Sequence, residues 1–554
     1  RDISMYIVNQ LLKDFFYEER FQTIALVALS FIINIIQTSA ISSTIAKLIN
    51  SIKNNSSSNA FGYFTYFVVF SLVYLFFYYF YEKLQIHFLS KMHEWMREKM
   101  IYIILKLNNE NLGNINFINT FNNINRLSSH LYRGFLNAIS NFLPSLVFLI
   151  VIFGYFIFQD PIFGICFSLC NVCIILYIIS NWDAMLNKSY EYEKQYTKTE
   201  SSIIEVLNNT DKIIHRGQIP QEMQRISGDL NDSVQASIDY HSLVSNEKTV
   251  SNVMVHIVVF ISTLYMISQY FNKNIDEIFF ITFLSIIILY RDRMDVIMLN
   301  IGEVIQKQAS LQENYKVFLG KESEYDSLDK YKRDDHSLVF NKITFDRVSF
   351  NYPESDVLIF NNMSVSLDTV GSKIIGMNGV SGRGKSTFAK LLLKVYKLQE
   401  GDIYIDDVNI RYVDPDYLRK NIVYINQSGK LFDRLIADNM LYACNDDICK
   451  ERLADIMSYD KIQGLFKNLD IDSALAGSLG ENLSGGQRQV VNIISGLIHP
   501  SKIMILDEPT NALDGELKRD VINLILDFKK YKQCIFIITH DSEMDPIFDE
   551  VLKL

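Results

Sequence analysis

Six cysteines in 554 residues are too few for a disulfide framework. Cys166, Cys170 and Cys173 fall inside one apolar stretch, where cysteine packs as a small apolar residue. Cys444, Cys449 and Cys534 lie in the more polar C-terminal part, for which a reduced compartment is expected. Positive charge is also scarce: 53 Lys and Arg against 63 Asp and Glu leave a net charge of −10. No broad basic surface follows, which argues against a nucleic-acid partner. Glycine and proline breakers are rare through much of the first three hundred residues, so long helices are expected there. One run, "FGYFTYFVVFSLVYLFFYYFY", has no charge at all. Soluble helices rarely lack a polar face, so this run does not belong to an ordinary soluble core.

What is present divides into two unlike parts. The chain is 49% hydrophobic, yet its mean hydropathy is only +0.09. The apolar weight sits in six stretches, 22–46, 61–82, 134–158, 161–181, 249–270 and 277–299. Each matches the length of about 20 residues that crosses a bilayer. Connections after the first, third and fifth are short; those after the second and fourth are long and carry most of the cations, such as Lys83, Arg97, Arg126, Lys188, Arg216 and Lys248. The positive-inside rule therefore places the long connections and both termini in the cytoplasm, or in a matrix or stroma equivalent to it. "EKLQIHFLSKMHEWMREKMIYIILKL" continues the second span without a stop, so each long connection is expected to be a helical hairpin, with tips near 110–124 and 202–217. "ISMYIVNQLLKDFFYEER" is amphipathic and suits the membrane interface.

The C-terminal part carries phosphate chemistry. "KIIGMNGVSGRGKSTFAKLLLKVY" reads as a strand, a glycine-rich turn and a helix, with G-x-x-x-x-G-K-[ST] running from Gly379 to Ser386. In such a loop the N–H groups around Gly379, Ser381, Gly382, Gly384 and Thr387 converge on phosphate oxygens, aided by the helix N-terminus. Lys385 reaches the β- and γ-phosphates and Ser386 holds Mg²⁺. "KIMILDEPT" supplies a buried strand ending in Asp507, for the Mg²⁺ shell, and Glu508, for the attacking water. ATP and Mg²⁺ are thus the expected cofactors. The expected organisation is a membrane domain over 1–319, a charged linker over 320–336 and a nucleotide-binding domain over 337–554.

"LSGGQRQ", from Leu483 to Gln489, lies between the glycine-rich loop and the acidic strand end. With it the chain resembles the ATP-binding cassette family, and its order of parts resembles the half-size exporters. The resemblance implies an all-α polytopic membrane domain, six spans with long cytoplasmic extensions, followed by an α/β P-loop domain. It implies that Tyr352 stacks on adenine, that Gln427 touches Mg²⁺ and water, and that His540 contacts the γ-phosphate. It further implies that Asn511–Asp514 communicates across a dimer, and that Ser484, Gly485 and Gly486 complete the ATP site of a second copy. Catalytic Glu508, His540, Gln427 and Lys385 together then imply a self-sufficient homodimer, a primary active transporter in which each chain is one half. A heterodimer, and an ATP-gated channel or regulatory membrane subunit, share this architecture. The chain departs from the exporter pattern at Ser478, where glutamate is usual, at "DEPTNALD" for "DEATSALD", and after "LSGGQRQ", where "ISG" replaces the usual "ARA".

The cargo is marked only by polar residues inside spans. Arg291 and Asp295 are spaced to pair at i, i+4. They form either a polar patch in the transport cavity, suited to an anionic or zwitterionic substrate, or an internal salt bridge at the cytoplasmic end of a long helix. His256 and Gln37 line the cavity or bond between helices.

Overall fold

The computed structural model describes residues 6–107, 117–327, 338–352, 355–378, 384–427, 429–444, 446–511 and 513–553. Residues 110–116 of the expected first hairpin tip, most of the linker, and Gly379, Ser381 and Gly382 lie outside the described residues. The chain forms two compact units, one of Arg1–Ile104 and Ile115–Tyr325, the other of Leu105–Asn114 and Asp326–Leu554.

The first unit is helical: α1 (Tyr6–Glu18), α2 (Arg20–Ile35), α3 (Ser42–Lys53), α4 (Ser57–Leu107), α5 (Phe117–Asn137), α6 (Leu143–Gln159), α7 (Pro161–Asn208), α8 (Thr210–His215), α9 (Ile219–Phe271) and α10 (Glu277–Asn314), followed by the short α11 (Glu322–Ser327). Where breakers are missing the helices do not stop: α4, α7 and α9 run for 51, 48 and 53 residues. At 1.5 Å per residue each is over about 70 Å long, more than twice the hydrocarbon thickness of a bilayer. Proline is admitted where it does no harm, at the start of α7 and of α9. Asp160 caps α7 by accepting from the Phe163 N–H. Two single-turn π segments, Ile36–Ile41 and Ala138–Phe142, join α2 to α3 and α5 to α6 without breaking the rod.

Five of the continuous helices are long and apolar enough to cross a membrane: Arg20–Lys53, Ser57–Leu107, Ile124–Gln159, Pro161–Asn208 and Ile219–Phe271. The sixth expected span forms the first half of α10, where Arg291, Asp292, Arg293 and Asp295 interrupt the apolar run. Phe156, Phe163, Phe167, Phe283 and Tyr290 make an aromatic core between α6, α7 and α10, and the Tyr290 hydroxyl donates to Asn171 Oδ1 at 2.7 Å. At the α6–α7 turn a Cβ on Gly164 would lie 2.3 Å from the Ile157 nitrogen, so only glycine fits. The membrane half of α4 is different, since none of its most apolar window is buried. Phe61, Tyr66, Leu72, Phe76 and Tyr79 are all exposed. The amphipathic α1 buries Ile7, Val8, Leu11 and Phe15, and its Ile7 N–H donates to the Tyr315 hydroxyl at the end of α10.

Among the described residues the second unit holds nine strands: β1 (Lys342–Asn351), β2 (Leu358–Asp368), β3 (Lys373–Asn378), β4 (Glu400–Ile405), β5 (Val408–Asn409), β6 (Ile422–Ile425), β7 (Ile503–Asp507), β8 (Cys534–Ile538) and β9 (Glu550–Lys553). An antiparallel sheet has the order β2-β1-β4-β5; a parallel sheet has the order β6-β7-β8-β3-β9. Strands β7 and β8, "IMILD" and "CIFII", are buried throughout, as central strands covered on both faces must be. The parallel order brings the C-terminal ends of β3, β6, β7 and β8 to one edge, the usual place for ligands in such sheets. Helix α12 (Lys385–Leu392) leaves the glycine-rich loop after β3 and packs in one hydrophobic cluster. The helix Gly485–Ile498, which begins in "LSGGQ", packs in another. Cys444 and Cys449 lie close together, with their Cα atoms 6.1 Å apart.

Candidate nucleotide site

Gly384 ends the glycine-rich loop at φ +93°, and a Cβ there would meet the Phe360 ring at 2.6 Å. Glycine is therefore required both by the backbone and by the space. From this N-cap α12 presents Lys385, Ser386 and Thr387 in succession. Lys385 is 6% exposed, and its Nζ donates to His540 Nε2 at 3.1 Å. Ser386 Oγ donates to Asp507 Oδ2 at 2.6 Å. Thr387 Oγ1 lies 2.8 Å from the Tyr352 hydroxyl, and Lys390 sits over the Tyr352 ring. Six residues singled out from sequence thus meet along one edge of the parallel sheet.

Glu508 follows Asp507 with φ +49°, a conformation costly for a non-glycine residue. Its N–H donates to the Ile538 carbonyl at 2.8 Å, which holds the turn, and its Oε1 lies 3.8 Å from His540 Nε2. His540 in turn sits on a pinned loop: Thr510 Oγ1 donates to Asp541 Oδ2 at 2.9 Å and Lys518 pairs with the same oxygen at 2.6 Å. Thr510 and Asp541 lie in motif stretches that assign them no role, and Lys518 lies in none. Nor does a motif assign a role to Tyr424, whose hydroxyl donates to Asp507 Oδ2 at 2.7 Å. Burial, and then the Asp507 carboxylate, push this phenol upward in pKa, so it stays a donor. Gln427, just past β6, is exposed.

The signature segment is built otherwise. Ser484 is the N-cap of Gly485–Ile498 and makes a reciprocal box with Gln487: the Gln487 N–H donates to Ser484 Oγ at 3.2 Å, and the Ser484 N–H to Gln487 Oε1 at 2.9 Å. Ser484 itself is exposed. Asp514 caps the helix Gly515–Phe528 by accepting from the Leu517 N–H. At the departure from the exporter pattern, Ser478–Gly480 form a tight turn in which Leu479 has φ +54° and is 61% exposed.

In the membrane unit, the expected Arg291–Asp295 pair is replaced. Arg291 bonds Asp292 at 2.8 Å, with both side chains about half exposed. Neighbouring side chains on adjacent positions meet here in place of the i, i+4 pair. Arg293 is the residue that turns inward: it donates to Gln37 Oε1 at 3.2 Å and lies over the Phe148 ring. His256 Nδ1 donates to the Asn252 carbonyl of its own helix, so it does not bond between helices there.

The nucleotide edge fits Mg²⁺ and a triphosphate on its own terms. A hydroxyl and a carboxylate, Ser386 and Asp507, are already in contact, a buried lysine stands beside them, and a loop end admits no Cβ. The whole chain has the fold of an ABC exporter, an integral membrane architecture. Residues 360–511 match the family model described as ABC transporter. Among curated proteins the chain is 34% identical over 214 residues to the ATP-dependent lipid A-core flippase of Haemophilus influenzae, covering 38% of this chain and 36% of that protein. It is 29% identical over 261 residues to the ATP-dependent lipid A-core flippase 2 of Colwellia psychrerythraea, covering 46% and 43%. The match thus spans less than half the length of these relatives. A solved bacterial Atm1-family ABC exporter with ATP bound superposes with a TM-score of 0.80 at 17% identity, over 97% of this chain and 93% of that one.

Proposed function

We propose that the chain is one half of an ATP-driven exporter, which two copies complete. The observation that carries this reading is the contrast within the second unit. Lys385, Ser386, Asp507, Glu508 and His540 form one connected set, while Ser484 stands exposed at the N-terminus of a 14-residue helix. A capped helix N-terminus facing outward is a ready anion site. It serves the phosphates of a second copy.

Bound Mg²⁺ and ATP supply the metal charge and the transferable phosphoryl group. Lys385 and the N–H groups at the start of α12 grip the β- and γ-phosphates. Ser386, Asp507 and Gln427 hold the metal. Tyr352 exchanges its Thr387 contact for the adenine face. Glu508 orients the attacking water and takes its proton, and His540, steadied through Asp541, holds the γ-phosphate oxygen. Ser484, Gly485 and Gly486 of the second copy close the site, with Asp514 fixing the helix beside it. The long rods α4, α7 and α9 carry that closure from the cytoplasmic side into the bilayer. Cargo contacts are proposed at Gln37 with Arg293, and at Arg291, Asp295 and His256.

The test is ATP turnover of the full chain in lipid, beside Glu508→Gln. Loss of the water-orienting carboxylate is expected to lower turnover at least about a hundredfold with ATP binding intact. A folded, ATP-binding wild type that turns over no ATP would move the reading to a different partner half or to an ATP-gated conduit.

A further inference from the structure

Tyr424 belongs to none of the motifs, yet it reaches the centre of the site. It is the third residue of β6 and pairs in register with Ile505 of β7, two residues before Asp507. Its hydroxyl spans that offset and donates to Asp507 Oδ2 at 2.7 Å, the oxygen that also accepts from Ser386 Oγ at 2.6 Å. Three side chains from β6, β7 and α12 thus form one chain of hydrogen bonds, Tyr424 to Asp507 and Ser386 to Asp507. The other residues of β6, "IV" and "I", are apolar, so packing alone would be served by phenylalanine.

We propose that Tyr424 is a positioning residue for the divalent cation. It acts through Asp507. A carboxylate held by two donors on one oxygen is fixed in rotation about its last torsion. Ser386, having given its proton to that oxygen, keeps its own lone pairs free to ligate a metal. Without the phenol, Asp507 loses one of the two anchors, and the Ser386 hydroxyl has no fixed acceptor to orient it. This inference rests on the reading of Ser386 and Asp507 as the cation-holding pair.

The experiment uses the full chain in lipid nanodiscs and the fluorescent analogue TNP-ATP, titrated in EDTA and then over a series of free Mg²⁺ concentrations. Tyr424→Phe removes one oxygen atom. In EDTA its affinity for TNP-ATP is expected to stay within about twofold of wild type, while the Mg²⁺ concentration giving half of the Mg²⁺ effect rises about tenfold. ATP turnover should follow, with the Mg²⁺ requirement raised and the rate at saturating Mg²⁺ nearly kept. In an Asp507→Ala background the same change should add less than about twofold, because the acceptor it works through is gone. An unchanged Mg²⁺ dependence overturns the proposal. So does an equal loss with and without Mg²⁺, which would mark a packing role. Tyr424→Met removes the same donor should the Phe variant not accumulate. If Ser386→Ala and Asp507→Asn themselves leave the Mg²⁺ dependence untouched, it is the underlying reading of the site that fails.

Discussion

The two glycine-rich segments of the cassette are opposites in their surroundings. The P-loop end is crowded by its own chain: Lys385 is buried against His540, Ser386 against Asp507, Thr387 against Tyr352. The signature end is exposed, and the contacts of Ser484 are those of a helix cap. A site whose parts are already in contact can be assembled by folding alone. A helix N-terminus with its cap made and its face bare is assembled only by something arriving from outside. On the proposed function, the contrast separates what one chain would do, binding, from what two chains would do, hydrolysis.

That separation can be broken by substitution at each end. Lys385→Ala removes the buried cation, and turnover should fall at least about a hundredfold together with TNP-ATP affinity. Gly485→Glu places a carboxylate at the signature helix, where it would face the γ-phosphate of the other copy. Turnover should fall comparably, but each chain should still bind TNP-ATP within about threefold of wild type, since the repulsion arises only on pairing. Equal loss of binding in both variants would mean the two segments serve one chain. A smaller effect is expected at Gly384, where φ is +93° and a Cβ would come within 2.6 Å of the Phe360 ring. Gly384→Ala should cost about 2 kcal/mol of stability, read as a lower thermal midpoint without nucleotide. Gly515→Ala, with nothing within 4 Å of its Cβ, should not.

The same contrast explains what could be read from residues alone. The P-loop, the acidic strand end and "LSGGQ" are local, so their spacing along the chain carries the chemistry. The long rods were legible because proline is missing from α4 and sits only at the starts of α7 and α9. Tyr424 and Asp541 were not legible, because their roles depend on which strands are neighbours. Tyr424 and Asp507 are 83 residues apart, and only the order β6-β7-β8-β3 makes them touch. In the membrane unit the choice between Arg291 and Arg293 is one of helical phase. Two positions turn a side chain about 200° around the axis, and the run of charges from 291 to 295 does not say which of them faces the bundle.

The far end of the signature helix sharpens the comparison further. Where its N-terminus is bare, its C-terminal end is locked: Lys532 Nζ donates to the carbonyl of His499, the C-cap residue, and to Ser501 Oγ at 2.9 Å. Lys532 is 2% exposed. Burial, and then the nearby Arg452, push its pKa down to about 7 from the ordinary 10.5. A lysine depressed in the folded state means that the unfolded chain binds the proton more tightly between those two values. Stability contributed by this residue should therefore rise with pH across the window from about 7 to 10.5, and be least where both states are protonated, below 7. Lys532→Met has no such dependence. The gap in thermal midpoint between wild type and Lys532→Met should widen from pH 7 towards pH 9, while TNP-ATP binding at the P-loop stays the same in both. A difference that stays constant over this range would show that the ammonium is held charged by its oxygen partners, and that the helix is locked by an ion rather than by a neutral amine.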